Sequence, residues 1–117
     1  MNIEAVAEQF RVSVSRVDGL YELGFSKPEV HVLVAPPRTL ARRKNRLSLE
    51  ESDRVQRLER ILEHATRVFG TLEKANGWLR SKNRALGGSI PLELLASETG
   101  ANGVEEVLGR IEYGIFS

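Results

Sequence analysis

A chain of 117 residues, 41% of them hydrophobic, can bury the core of one compact domain or of two very small ones. It contains no cysteine, which excludes disulfide frameworks and thiolate metal sites. The opening MNIEAVAEQF carries two acids, and no stretch approaches the roughly 18 apolar residues of a membrane span, so a soluble, cytoplasmic protein is expected. The net charge of +1 is unevenly spread, with eight basic and five acidic side chains in 1–49, eight and six in 50–84, and one and five in 85–117, so the front half suits an anionic partner and the last third does not.

Apolar spacing and capping residues predict helices near 2–11, 15–23, 27–34, 37–46, 49–69, 72–80, 91–98 and 103–113. Val12-Ser13-Val14-Ser15 alternates briefly in the manner of a strand, but no convincing strand competes, and the fold class is all-α. Ser26 with Glu29, Ser48 with Glu51, and Asn102 with Glu105 have the spacing of capping boxes. In such a box a short oxygen accepts a first-turn N–H while the carboxylate reaches back to the cap. Thr71 stands as a cap without a Glu partner. Val55, Leu58, Ile61, Leu62, Ala65, Val68 and Phe69 form one apolar stripe, ended by Gly70; Leu72, Ala75, Trp78 and Leu79 form the next. Gly87-Gly88-Ser89 reads as a tight loop, and Gly114 as the left-handed stop of the last helix.

The stretch from Ser26 to Arg46 reads as two short helices joined by a turn at Ala35-Pro36-Pro37, the layout of a helix-turn-helix. Val30, Leu33 and Val34 would face inward and meet Leu40, Ala41 and Leu47. On a helix running to residue 46, Arg38, Arg42 and Asn45 or Arg46 share an outward face, with Thr39 and Arg43 beside them. Arginines can fork onto guanine edges or phosphates, Asn can read adenine, and Thr can bond a phosphate or meet a thymine methyl.

No arrangement of residues points to catalysis, a cofactor or a metal. His31 and His64 lack metal-ligand spacing, and Glu50, Glu51 and Asp53 open a long helix, where the macrodipole accounts for them. The chain ends instead on Tyr113-Gly114-Ile115-Phe116-Ser117. Large apolar residues at a terminus must fold back on the protein's own core or meet a partner. The first possibility describes a stand-alone helix-turn-helix regulator, the second an interaction protein.

From about residue 38 onward the chain resembles the Xre/ParS-type antitoxins, DNA-binding partners of RES-domain toxins in bacterial type II toxin–antitoxin systems. The resemblance is carried by Arg38-Thr-Leu-Ala-Arg-Arg43, Leu47 to Arg54, Ala65-Thr-Arg-Val-Phe-Gly70, Ala75-Asn-Gly-Trp-Leu79, Leu86 to Leu95, and Val104 to Gly114. It implies a helical bundle with an N-terminal helix-turn-helix region over 1–48 and a C-terminal toxin-binding domain over 49–117. It further implies a toxin that degrades NAD⁺, an antitoxin end that covers the toxin's active-site cleft, operator DNA as a second partner, and a homodimer within a toxin–antitoxin hetero-oligomer. Carried over by position, Arg38, Thr39, Arg42, Arg43, Asn45 and Arg46 face DNA. Arg110, Glu112, Tyr113, Gly114, Ile115, Phe116 and Ser117 face the toxin, and the acidic last third would complement a cationic cleft.

Overall fold

The computed structural model describes residues 2–114. Eight α-helices follow one another: α1 (Ile3–Glu8), α2 (Ser15–Glu22), α3 (Lys27–Leu33), α4 (Pro37–Arg42), α5 (Leu49–Phe69), α6 (Leu72–Leu79), α7 (Pro91–Leu94) and α8 (Glu98–Glu112), with a 3-10 turn at Arg84–Leu86 between α6 and α7. Among the described residues there is no β-sheet, only two isolated antiparallel bridges, Ser13 with Arg46 and Asn83 with Ser89. The chain divides into two compact units after Gln56, within α5.

In the first unit the capping residues act as their spacing predicts. Ser26 Oγ accepts the Glu29 N–H at 3.2 Å and Glu29 Oε1 accepts the Ser26 N–H at 2.8 Å. Ser48 and Glu51 form the same reciprocal pair at 3.1 and 2.8 Å. Each box satisfies donors that a helix start would otherwise leave without partners. Val17, Leu20, Phe25, Val30, Leu33, Val34, Leu47 and Val55 are buried. Leu40 is only half-buried and Ala41 is exposed, so the expected inward pair of α4 reduces to Leu40 alone.

Helix α4 stops short of its expected end because its continuation pairs elsewhere. The backbone of Val12 to Val14 pairs with that of Asn45 to Leu47: Leu47 N–H donates to Val12 C=O at 2.9 Å and Val14 N–H to Asn45 C=O at 3.0 Å. A helix cannot supply these edge groups. Accordingly α4 ends at Arg42 with Arg43 already extended at φ −75°, ψ 128°; α1 ends at Glu8, and the chain continues to Arg11 in i→i+3 turns, Gln9 to Val6, Phe10 to Ala7 and Arg11 to Glu8. The brief alternation at 12–15 marked the segment that wins this competition.

In the second unit Leu58, Ile61, Leu62, Ala65, Ala75, Leu79, Leu92, Leu95, Ala101, Val104, Val107 and Leu108 are buried. Phe69 and Trp78 are half-buried and meet at 5.4 Å between ring centroids, tilted by 37°. Thr71 caps α6 by accepting the Lys74 N–H at 3.1 Å. The expected Asn102 cap is not formed, because Asn102 lies inside α8; Ser97 caps that helix instead, accepting the Gly100 N–H at 3.0 Å. This early start needs glycine at residue 100, where a Cβ would stand 2.0 Å from the carbonyl oxygen of Leu94. Because α7 ends at Leu94 and α8 begins at Glu98, the chain turns between them in three residues.

Candidate functional site

The basic run of the first unit is built differently from a recognition helix. Arg38, Thr39 and Arg42 lie on α4, which at six residues spans about 9 Å, whereas Arg43, Asn45 and Arg46 lie beyond its end. The single outward helical face expected for these side chains therefore does not exist. The Arg43 guanidinium forks onto Glu51, Nε to Oε1 at 2.9 Å and Nη2 to Oε2 at 2.8 Å. Burial alone would raise the Glu51 pKa, but the Arg43 fork and the Ser48 N–H outweigh it and hold the carboxyl below its usual range. The fork to Glu51 in turn raises the pKa of Arg43.

Arg46 Nη1 donates to the carbonyl of Glu8 at 2.8 Å, and Arg11 Nε to that of Leu47 at 2.7 Å while its Nη1 meets Glu8 Oε2 at 2.8 Å. Arg38, Arg42 and Lys44 make no ion pair with the described residues. An open depression of about 370 Å³ forms where these groups converge, lined by Glu8, Arg11, Arg42, Arg43, Lys44, Asn45 and Arg46. Thus four of the six residues predicted to face DNA come together around one hollow, while Arg38 and Thr39 do not line it.

At the other end of the chain, the charge on α8 is answered within its own unit. Glu98 accepts from Arg57 Nε at 3.0 Å and Arg60 Nη2 at 3.1 Å, Glu105 accepts from Arg60 Nε, and Glu112 pairs with His64 Nε2 at 3.2 Å and Arg67 Nε at 3.1 Å. Glu106 pairs with Arg110 along the helix. Arg57, and Arg60 beside it, hold the Glu98 carboxyl below its usual range; Arg67, then His64, do the same for Glu112. The acids of α8 are therefore no free negative surface. Residues 57–117 hold eight basic and eight acidic side chains, and the partners of Glu98, Glu105 and Glu112 lie on α5. The signal was legible: Glu98, Glu105 and Glu112 recur every seven residues, against Arg57, Arg60, His64 and Arg67 at steps of three, four and three.

Of the predicted toxin-facing residues, Arg110 and Glu112 are engaged in these pairs, Gly114 has the expected left-handed φ of 68°, and Tyr113 is 77% exposed. Ile115, Phe116 and Ser117 lie outside the described residues. No group of three or more His, Cys, Asp or Glu side chains able to hold a metal occurs among the described residues. None of their helices is long and apolar enough to cross a membrane.

Residues of the chain align at 38% identity over 112 positions with a protein named Antitoxin Xre from Yersinia enterocolitica serotype O:8, covering 90% of this chain and 75% of that one. The chain belongs to the Xre-type antitoxins. A second Antitoxin Xre, from Pseudomonas putida, is 32% identical to this antitoxin over 125 positions, covering 97% of the chain and 79% of its relative. Residues 64–114 match the model of the antitoxin Xre/MbcA/ParS C-terminal toxin-binding domain. The antitoxin also shares its fold with a chain of the M. tuberculosis MbcT–MbcA toxin–antitoxin complex, at a TM-score of 0.66 and 24% identity, covering 89% of this chain and 96% of that one.

Proposed function

We propose that this antitoxin neutralises a RES-domain, NAD⁺-degrading toxin by laying its C-terminal end over the toxin's active site, and that it binds operator DNA through its basic segment to regulate its own operon. The observation that carries the first part is Tyr113. It closes α8 as a residue 77% exposed, on a helix whose acids Glu98, Glu105, Glu106 and Glu112 already have partners. What the helix end offers a partner is therefore apolar surface, continued in sequence by Ile115 and Phe116. Burying those two side chains contributes about 1.5 to 3 kcal/mol each before the cost of ordering the tail. Neutralisation of this kind is occlusion, with no chemistry supplied by the antitoxin, and the toxin-facing set comprises Tyr113, Gly114, Ile115, Phe116 and Ser117. A homodimer within the toxin–antitoxin assembly would present two basic segments to one operator.

The test is deletion of residues 114–117. The shortened chain is expected to keep its melting temperature and to lose protection of cells expressing the toxin. Undiminished protection would overturn the occlusion reading. A lowered melting temperature would instead place the tail on the protein's own core, as in a stand-alone regulator.

A further inference from the structure

The hollow beside α4 gathers more like charge than its own unit neutralises. Arg11 is answered by Glu8 and Arg43 by Glu51, which leaves Arg42, Lys44 and Arg46 with no carboxylate among the described residues. Three cations held around one depression repel one another, and the arrangement is relieved by an anion seated among them. The walls are also fixed beforehand. Arg46 is anchored to the Glu8 carbonyl, Arg11 to the Leu47 carbonyl, and the backbone on both sides by the pairing of Val12 and Val14 with Leu47 and Asn45. Donors so placed lose little freedom on binding.

We propose that this depression is a seat for the phosphodiester backbone of DNA, and that the antitoxin grips its operator there through Arg42, Lys44 and Arg46 rather than through a base-reading face of α4. The inference rests on the operator-binding reading and specifies its mode. Two observations favour a phosphodiester over an acidic peptide. The lining is charged or amide throughout, with no apolar pocket to anchor a side chain, and the hollow is open enough to admit a backbone running across it. Guanidinium forks and an ammonium are the groups that phosphate oxygens accept from. A six-residue helix whose basic continuation has left the helical path presents two arginines, Arg38 and Arg42, to a groove; the hollow presents cations from both sides of the 12–14/45–47 bridge.

The experiment is fluorescence anisotropy of the full chain on two duplexes of equal length, one carrying the operon's own promoter and one of unrelated sequence, across a salt series. Arg42→Ala/Lys44→Ala is expected to weaken both duplexes alike by at least 10-fold, and to flatten the log–log salt slope by about 1.8, since each phosphate contact contributes about 0.9. Its melting temperature should not fall, because neither side chain has an ion-pair partner among the described residues and their removal lessens the repulsion among the three cations. Arg38→Ala, on α4 but outside the hollow, is the comparison. If it abolishes operator binding while the double variant keeps the wild-type affinity and slope, the seat is overturned and operator binding stands. A wild-type chain that binds neither duplex overturns both. Loss of toxin affinity in the double variant with DNA binding intact assigns the hollow to a protein partner and likewise overturns the seat.

Discussion

Glu51 is 4% exposed, and burial of an isolated carboxylate disfavours its charged form. Its charge survives because Arg43 approaches it with two nitrogens and the Ser48 N–H with a third. Arg43 therefore shapes the basic hollow through its fork to Glu51, and replacing it does more than remove a charge. Arg43→Ala should lower stability at neutral pH, since it leaves the largely buried Glu51 without its cation. The pH dependence then distinguishes this cause from lost packing. In the wild type the Glu51 pKa is lowered, so its contribution is present above the ordinary carboxylate range and is lost as pH falls through the lowered value. In the variant, burial is opposed by Ser48 alone, so the Glu51 pKa rises from its wild-type position and acidification relieves the penalty sooner. Urea unfolding at pH 7 and pH 4.5 should thus show the two proteins converging at the lower pH. A gap that stays constant would mean that Arg43 acts through packing.

The pairing of α5 with α8 makes an element-scale prediction, because its members differ in burial. Arg57 is 7% exposed and Glu98 is its carboxylate, whereas the Arg67 side chain that meets Glu112 is 57% exposed. Exposed pairs contribute a few tenths of a kcal/mol and fade with salt; a pair with a buried partner contributes more and is screened less. Glu98→Ala should therefore lower stability by about 1 kcal/mol or more in both 50 mM and 500 mM salt, while Glu112→Ala lowers it slightly and only at low salt. Thermal melts of the two variants at both ionic strengths test the ranking, and equal losses would refute it. The same pairs show what a sequence discloses. The apolar stripe of α5, the boxes at Ser26 and Ser48, the Thr71 cap and the stop at Gly70 are local signals, and each was legible. The end of α4 was not, because it is set by Val12 to Val14, far away in the chain. The start of α8 was obscured because Ser97 has glycine, not Glu, three residues later, and that glycine is there for a close approach to Leu94.

At the scale of the whole molecule, counting charge by thirds of the sequence and counting it by units give different pictures. The last third is net negative, yet residues 57–117 hold equal numbers of acids and bases, with the acids of α8 facing the arginines of α5. An electrostatic pull between the C-terminal end and a cationic cleft is therefore weak beyond contact distance. The apolar end beginning at Tyr113 acts only at contact. The basic hollow has three cations without a carboxylate partner among the described residues, so its field extends about a Debye length, roughly 10 Å at 0.1 M salt. If the proposed functions hold, one protein has two binding reactions of opposite salt character. Between 50 and 500 mM salt the rate of toxin association should change by less than about 3-fold, since steering makes only a small contribution to it. Over the same range DNA affinity should fall by orders of magnitude as counterion release loses its driving force. Surface-based kinetics with immobilised toxin, paired with anisotropy on DNA in the same buffers, measures both. A toxin association rate that collapses with salt would show that α8 meets its partner through charge, and would return the acids of α8 to the interface.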